Sequence, residues 1–180
     1  RPGEGSPGGG RPQGRGCRSD RHPGPLARPA HDSRLPGGGG QQICGLYDIK
    51  PAFFGRVDER KGLKLFAAAL NALEPERLNG VELEFVGKTT ATWTRERAEA
   101  LLSKETKRAL RGVAFETELD QRQALERLRR RGTLVVMPSL IENSPNTVYE
   151  CLEHGIPFIA SNVGGVPELI TPDDRARVLF

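Results

Sequence analysis

Carboxylates, cations and free backbone amides gather in two stretches of this chain. Glu142 and Glu150 stand eight residues apart in LVVMPSLIENSPNTVYECLEHGIPFIASNVGGVPE (residues 134–168). The first falls on a loop after an apolar strand, the second inside the helix that follows. A strand emptying into a polar loop that opens a helix is where an open α/β sheet receives ligands. Ser144 reads as the helix N-cap with Pro145 at the first helical position, so the first amides would face a phosphate or a sugar hydroxyl. Earlier in the chain Arg56 and Lys61 share one loop, GRVDERK, after another apolar strand. Guanidinium and ammonium groups there are suited to phosphate oxygens, and Gly55 lets backbone approach closely. The plainer alternatives are that Arg56, Arg60 and Lys61 are solvated loop charges, that Glu142 is a loop carboxylate near a helix N-terminus, and that Glu150 lies on a helix surface.

Apolar periodicity supplies the elements that must position these groups. Short strands are predicted at Pro51–Phe54, Val81–Val86, Val113–Phe115, Thr133–Met137 and Pro157–Ala160, with Arg177–Phe180 starting another. Thr133–Met137 is apolar apart from its first residue, as a strand covered on both faces should be. Leu63, Phe66, Ala67, Leu70 and Leu73 recur at helical spacing, giving a helix over about 62–73. Thr94–Leu110 reads as one or two helices, and Asp120–Arg130 as a helix capped by Asp120. Asn146–His154 is a helix stopped by Gly155, and Pro167–Ile170 begins one more. Strands alternating with helices call for a parallel sheet joined by right-handed crossovers, hence a Rossmann-like α/β domain flanked by helices.

The arrangement E-x7-E between two buried strands, followed by GGVPE, resembles the C-terminal, donor-binding domain of retaining glycosyltransferase family 4, which has the GT-B fold. GRVDERKG at 55–62 matches that family's GR-x4-K-G pattern. The resemblance covers about residues 53–170. It implies transfer of a sugar from a nucleoside diphosphate sugar to an acceptor hydroxyl with retained configuration. Arg56 and Lys61 would bind the diphosphate. Glu142 would sit at the donor sugar, with the amides of Asn143, Ser144, Asn146 and Thr147 offered to its hydroxyls. Glu150 would accept from the ribose hydroxyls, and Gly164 and Gly165 would pass close to the donor. Many relatives have glycine where this chain has Pro145, a mild departure. Neither a metal nor another cofactor is implied, and no D-x-D occurs. Gly87 and residues 113–119 are candidates for a base pocket, with nothing in them naming the base. His154, in the last turn of its helix, reads as structural.

Composition bounds the rest. Residues 1–40 hold 12 glycines, 7 prolines and 7 arginines, and such a segment cannot bury enough apolar surface to offset its ordering entropy, so it is expected to be a disordered tail. Residues 41–180 are expected to form the globular nucleotide-sugar-binding domain, truncated at its C-terminus. The formal net charge of +4 comes entirely from the tail, so no nucleic-acid partner is expected. Cys17, Cys44 and Cys151 lack C-x-x-C spacing, which points to a reducing, cytoplasmic location. No apolar run reaches the roughly 18 residues of a membrane span. The acceptor-binding domain of a GT-B enzyme is missing from this chain, and without it the fragment is expected to be inactive. A nucleotide-sugar epimerase and a non-catalytic nucleotide- or protein-binding module derived from a glycosyltransferase are the alternatives. No G-x-G-x-x-G opens a helix after a strand, so a dinucleotide dehydrogenase has little support.

Overall fold

The computed structural model describes residues 49–180, and the tail assigned to residues 1–40 lies outside the described residues. Five strands pair in parallel: β1 (Lys50–Phe54), β2 (Glu82–Val86), β3 (Gly112–Glu116), β4 (Thr133–Met137) and β5 (Phe158–Ala160). Their order is β3-β2-β1-β4-β5. The chain runs outward from β1 in one direction through β2 and β3, then returns to β1's other side with β4. That reversal makes the crevice at the C-terminal ends of β1 and β4 the topological switch point, where such sheets take their ligands.

Alternation along the strands builds two cores. Phe53, Leu83 and Phe85 face one side, where they meet α1 (Leu63–Asn71), α2 (Pro75–Leu78), α3 (Arg95–Glu99) and α4 (Lys104–Ala109). Phe53, Phe66 and Phe85 are mutually 5.6–5.9 Å apart, and Phe85 stacks on Phe115 at 4.5 Å. Each such pair contributes about 0.5–1.5 kcal/mol beyond its buried area. Ala52, Phe54, Val86, Val135 and Met137 face the other side, against α5 (Gln121–Leu128), α6 (Asn146–Glu153) and α7 (Val166–Leu169). Asp120 caps α5 with a reciprocal capping box to Gln123, as its position predicts.

On β2 the acidic half of the alternation does not face open solvent. Glu84 is buried on the α5 side, where Arg127 grips it through two hydrogen bonds of 3.0 and 3.3 Å and also reaches Glu116 of β3 at 2.8 Å. At the far end of the sheet, Lys50 holds the Glu82 carboxyl below the ordinary range through a hydrogen bond and its charge, with Arg111 adding to the effect.

Three local expectations are corrected. Helix α6 starts at Asn146 with Pro145 as its N-cap, and Ser144 makes no capping bond. The Pro145 carbonyl already accepts the amides of Val148 and Tyr149, at 3.0 Å each, so the first turn closes on the proline. The strand start expected at Arg177–Phe180 is confined to its last two residues: α8 (Pro172–Val178) runs through Arg177 and Val178, favoured by Pro172 at its first position and Asp173 and Asp174 in its first turn. Beyond the helix, Leu179 forms an isolated parallel bridge to Ala160, and the Phe180 amide donates to the Ala160 carbonyl at 3.1 Å while the Phe180 carbonyl accepts the Asn162 amide at 2.9 Å. Finally, α2 lies in a stretch with no predicted element. It is one turn long and held by Leu78, which is buried in the first core. No helix of the described residues is long and apolar enough to cross a membrane.

Candidate functional site

The loop after β1 is shaped by Asp58. Its Oδ1 accepts the Lys61 amide and its Oδ2 accepts Arg56 Nε, both at 2.9 Å. One carboxylate thus closes the turn and fixes a guanidinium. The loop then lies directly on the loop after β4: the Leu140 amide donates to the Arg60 carbonyl at 2.8 Å. Gly62 has φ 78°, and a Cβ there would overlap the carbonyl oxygen of Pro138. Lys61 crosses this seam, its Nζ donating to Glu142 Oε2, although the two residues are 81 apart in sequence. Ser139 Oγ donates to the same carboxylate oxygen at 3.2 Å. Glu142 is 8% exposed, so the pair forms a part-buried charge couple at the switch point.

The turn after β5 completes the enclosure. The Gly165 amide donates to the Glu142 carbonyl at 3.2 Å, and Gly164, with φ 52°, has the Glu142 backbone where a Cβ would stand. Gly55, Arg56, Lys61, Glu142, Gly164 and Gly165 therefore all belong to three loops at one end of the sheet. Arg56 is directed to Asp58 rather than to the Glu142 pair, and its side chain is 57% exposed. Asn143 and Ser144 are exposed on the loop surface. The Asn146 amide is engaged within the loop, donating to the Ser144 carbonyl at 2.8 Å. That is a correction to the expectation that it stays free for a ligand.

Glu150 and Thr147 occupy a neighbouring cleft of about 200 Å³, shared with Phe54, Gly87, Leu119 and Gln121. Gln121 Nε2 donates to Glu150 Oε1 at 2.7 Å. Gly87, Glu116 and Leu119 line this cleft, whereas Val113 packs against the opposite core. A larger groove of about 440 Å³ follows α5 and α6 past Arg122, Arg129 and His154, and none of the predicted site residues borders it. Among the described residues, no cluster of three or more His, Cys, Asp or Glu side chains has a metal-holding arrangement.

Three contributors were not singled out from sequence. Asp58 sits three residues before Lys61, the spacing at which a capping carboxylate meets the N3 amide of a helical turn, which is a usable signal. Ser139 and Gln121 act through contacts that only the assembled loops create. Cys151, beside Glu150 on α6, is no nucleophile: burial, with the Glu150 charge adding to it, pushes its thiol up to about 12. With Cys17 and Cys44 replaced by serine, the folded protein should leave Cys151 unlabelled by a thiol reagent at pH 8. Denaturant should expose it to complete labelling, and fast labelling without denaturant would contradict its burial.

Fold and site together define a Rossmann-like α/β domain whose cation loop and carboxylate loop meet at the switch point of a parallel sheet. The chain belongs to the family described as glycosyl transferases group 1, which its residues 50–180 match. Among solved structures it is similar to the C-terminal domain of a glycosyl transferase group 1 family protein, LpcC, from Francisella tularensis. That likeness has a TM-score of 0.54 at 20% identity, over 73% of this chain and 67% of the other. It is similar also to WaaG, a glycosyltransferase involved in lipopolysaccharide biosynthesis, with a TM-score of 0.54 and 20% identity over 74% of this chain. The match spans 33% of WaaG, so this chain corresponds to one portion of that protein. At such identities the likeness is one of fold. No curated protein matches the chain.

Proposed function

We propose that this chain is the donor-binding half of a retaining, family 4 glycosyltransferase of GT-B architecture, serving transfer of a sugar from a nucleoside diphosphate sugar to an acceptor hydroxyl. The observation that carries the reading is the meeting of Lys61, from the loop after β1, with Glu142, from the loop after β4. A cation for a leaving diphosphate and an acceptor for sugar hydroxyls belong side by side in such a site. The nucleotide extends from there toward Gly87 and Leu119, and Glu150 takes the ribose hydroxyls, its two oxygens serving as acceptors. Arg56 and Lys61 stabilise the negative charge that grows on the diphosphate as the sugar departs, the largest contribution a site of this kind makes. Asn143, Ser144 and Thr147 border the sugar, and Gly164 and Gly165 let backbone close over it. Retention is supported by the E-x7-E pattern alone.

In this scheme the charge on the diphosphate is met by side chains, with no metal or organic cofactor. The acceptor is held by a second, N-terminal-type domain acting as partner, and the work is placed in the cytoplasm. Titration of the 180-residue chain with UDP, GDP, ADP and their sugars tests the reading. Saturable binding of one nucleotide is expected. Lys61→Ala, Arg56→Ala and Glu150→Ala should each weaken it on the order of tenfold or more, the worth of one charge-assisted contact. A folded chain that binds none of these ligands would refute the proposal.

A further inference from the structure

The Glu150 carboxylate is steadied by a neutral neighbour. Gln121 Nε2 donates to Glu150 Oε1 at 2.7 Å, and among the described residues no second side chain bonds that carboxylate. We infer that Gln121 is a positioning residue for Glu150, holding the carboxylate in the orientation that receives ribose hydroxyls. It thereby sets the preference for nucleotides that carry those hydroxyls over nucleotides that lack them. The inference rests on the function proposed above, in which Glu150 takes the ribose.

Both side chains line the cleft of about 200 Å³ that also holds Gly87 and Leu119. Gln121 is the first residue of α5, and the capping box between Asp120 and Gln123 fixes that end of the helix. The amide is therefore presented from a well-anchored turn. Glu150 lies on α6, anchored by its buried neighbour Cys151. A glutamate side chain left to rotate must be ordered when a ligand arrives, and that ordering weakens binding. The bond from Gln121 selects an orientation before the nucleotide enters. It does so without competing for the ribose, because a carboxylate offers about four acceptor sites and the amide uses one. Nor does it neutralise Glu150. A neutral donor leaves the negative charge in place for charge-assisted bonds from the hydroxyls.

The test compares a nucleoside diphosphate with its dideoxy counterpart, which lacks both ribose hydroxyls, using the base that the 180-residue chain binds. The wild type should favour the ribose form roughly tenfold or more, the worth of charge-assisted bonds to Glu150. Gln121→Ala should lower that ratio roughly fivefold by weakening the ribose form alone. Alanine is a good helix former and leaves the capping box untouched, so the fold is retained. Gln121→Glu keeps the shape, removes the donor and adds a like charge beside Glu150, and it should lower the ratio at least as far. Any repulsion of the phosphates by the new charge acts on both ligands and cancels in the ratio. A ratio unchanged or raised in either variant, whether both ligands bind as before or both weaken equally, would overturn the inference. A wild type that binds the two forms equally would overturn it together with the ribose role of Glu150, leaving donor binding intact. Absence of any nucleotide binding by the folded wild type would overturn the proposed function as well.

Discussion

Alanine at position 62 is expected to destabilise the protein by about 3–5 kcal/mol, the range of severe backbone and packing defects. Two effects add. Gly62 has φ 78°, where an L-residue other than glycine costs roughly 1–2 kcal/mol. Its missing Cβ is also the space occupied by the Pro138 carbonyl, a backbone atom that cannot swing aside as a side-chain end could. Gly80 provides the control, since it has the same φ of 78° and nothing within 4 Å of its Cβ position. Gly80→Ala should therefore lose only about 1–2 kcal/mol. Denaturant titration of the two variants separates the dihedral cost from the cost of forcing two loops apart. If they lose equal stability, contact with Pro138 is not why glycine stands at 62. Because Lys61 adjoins Gly62 and Ser139 adjoins Pro138, the first variant should also spread the Lys61–Glu142 pair.

Arg127→Met should be comparably damaging. Arg127 is the shared counter-ion of Glu84 and Glu116, and its own side chain is only 22% exposed. Removing it leaves two carboxylates on neighbouring strands of one sheet face, each partly sheltered from water, with like charges opposed. Breaking such a set by deleting one partner typically costs about 3–5 kcal/mol, whereas replacing the whole set by neutral groups is often harmless. Adding Glu84→Leu and Glu116→Gln to Arg127→Met should thus recover most of the lost stability by denaturant titration. A triple variant no more stable than the single one would show that the loss lay in packing of the arginine stem rather than in stranded charge.

Most of the fold could be read in the sequence because its signals are local. β4 announces itself as an apolar run from Leu134 to Met137, and Asp120 marks the start of α5 three residues before Gln123, the partner its capping box requires. Where local signals mislead, the competing force can be named. RVLF at 177–180 looks like a strand by composition, yet the proline and two aspartates upstream drive a helix through Arg177. The four residues PERL at 75–78 carry too little apolar pattern to reveal a turn of helix whose stability comes from one buried leucine.

The candidate site divides along the same line. Arg56, Lys61, Glu142 and Glu150 are visible as motif residues because type and spacing are written in the chain. That Lys61 lies on Glu142, while Arg56 turns to Asp58, follows from how the sheet is threaded and from a seam sealed by two glycines, so no window of sequence contains it. Ser139 and Gln121 are of the same kind, ordinary side chains given a role by what the fold brings opposite them.

The central place of β1 has a consequence for the time course of synthesis. β1 is the first described strand to leave the ribosome, and β2 follows on one side after a single crossover. Its partner on the other side is β4, paired from Lys50 against Thr133 to Phe53 against Val136, so about 80 further residues must be made first. At roughly 5–20 residues per second, that edge waits several seconds in the open. A strand ending in Ala52, Phe53 and Phe54 and left half-paired for so long is a template for other nascent chains. Pairing across so wide a loop is also slow in itself. The centre of the sheet, the most protected position in the finished molecule, is therefore its most vulnerable one during translation.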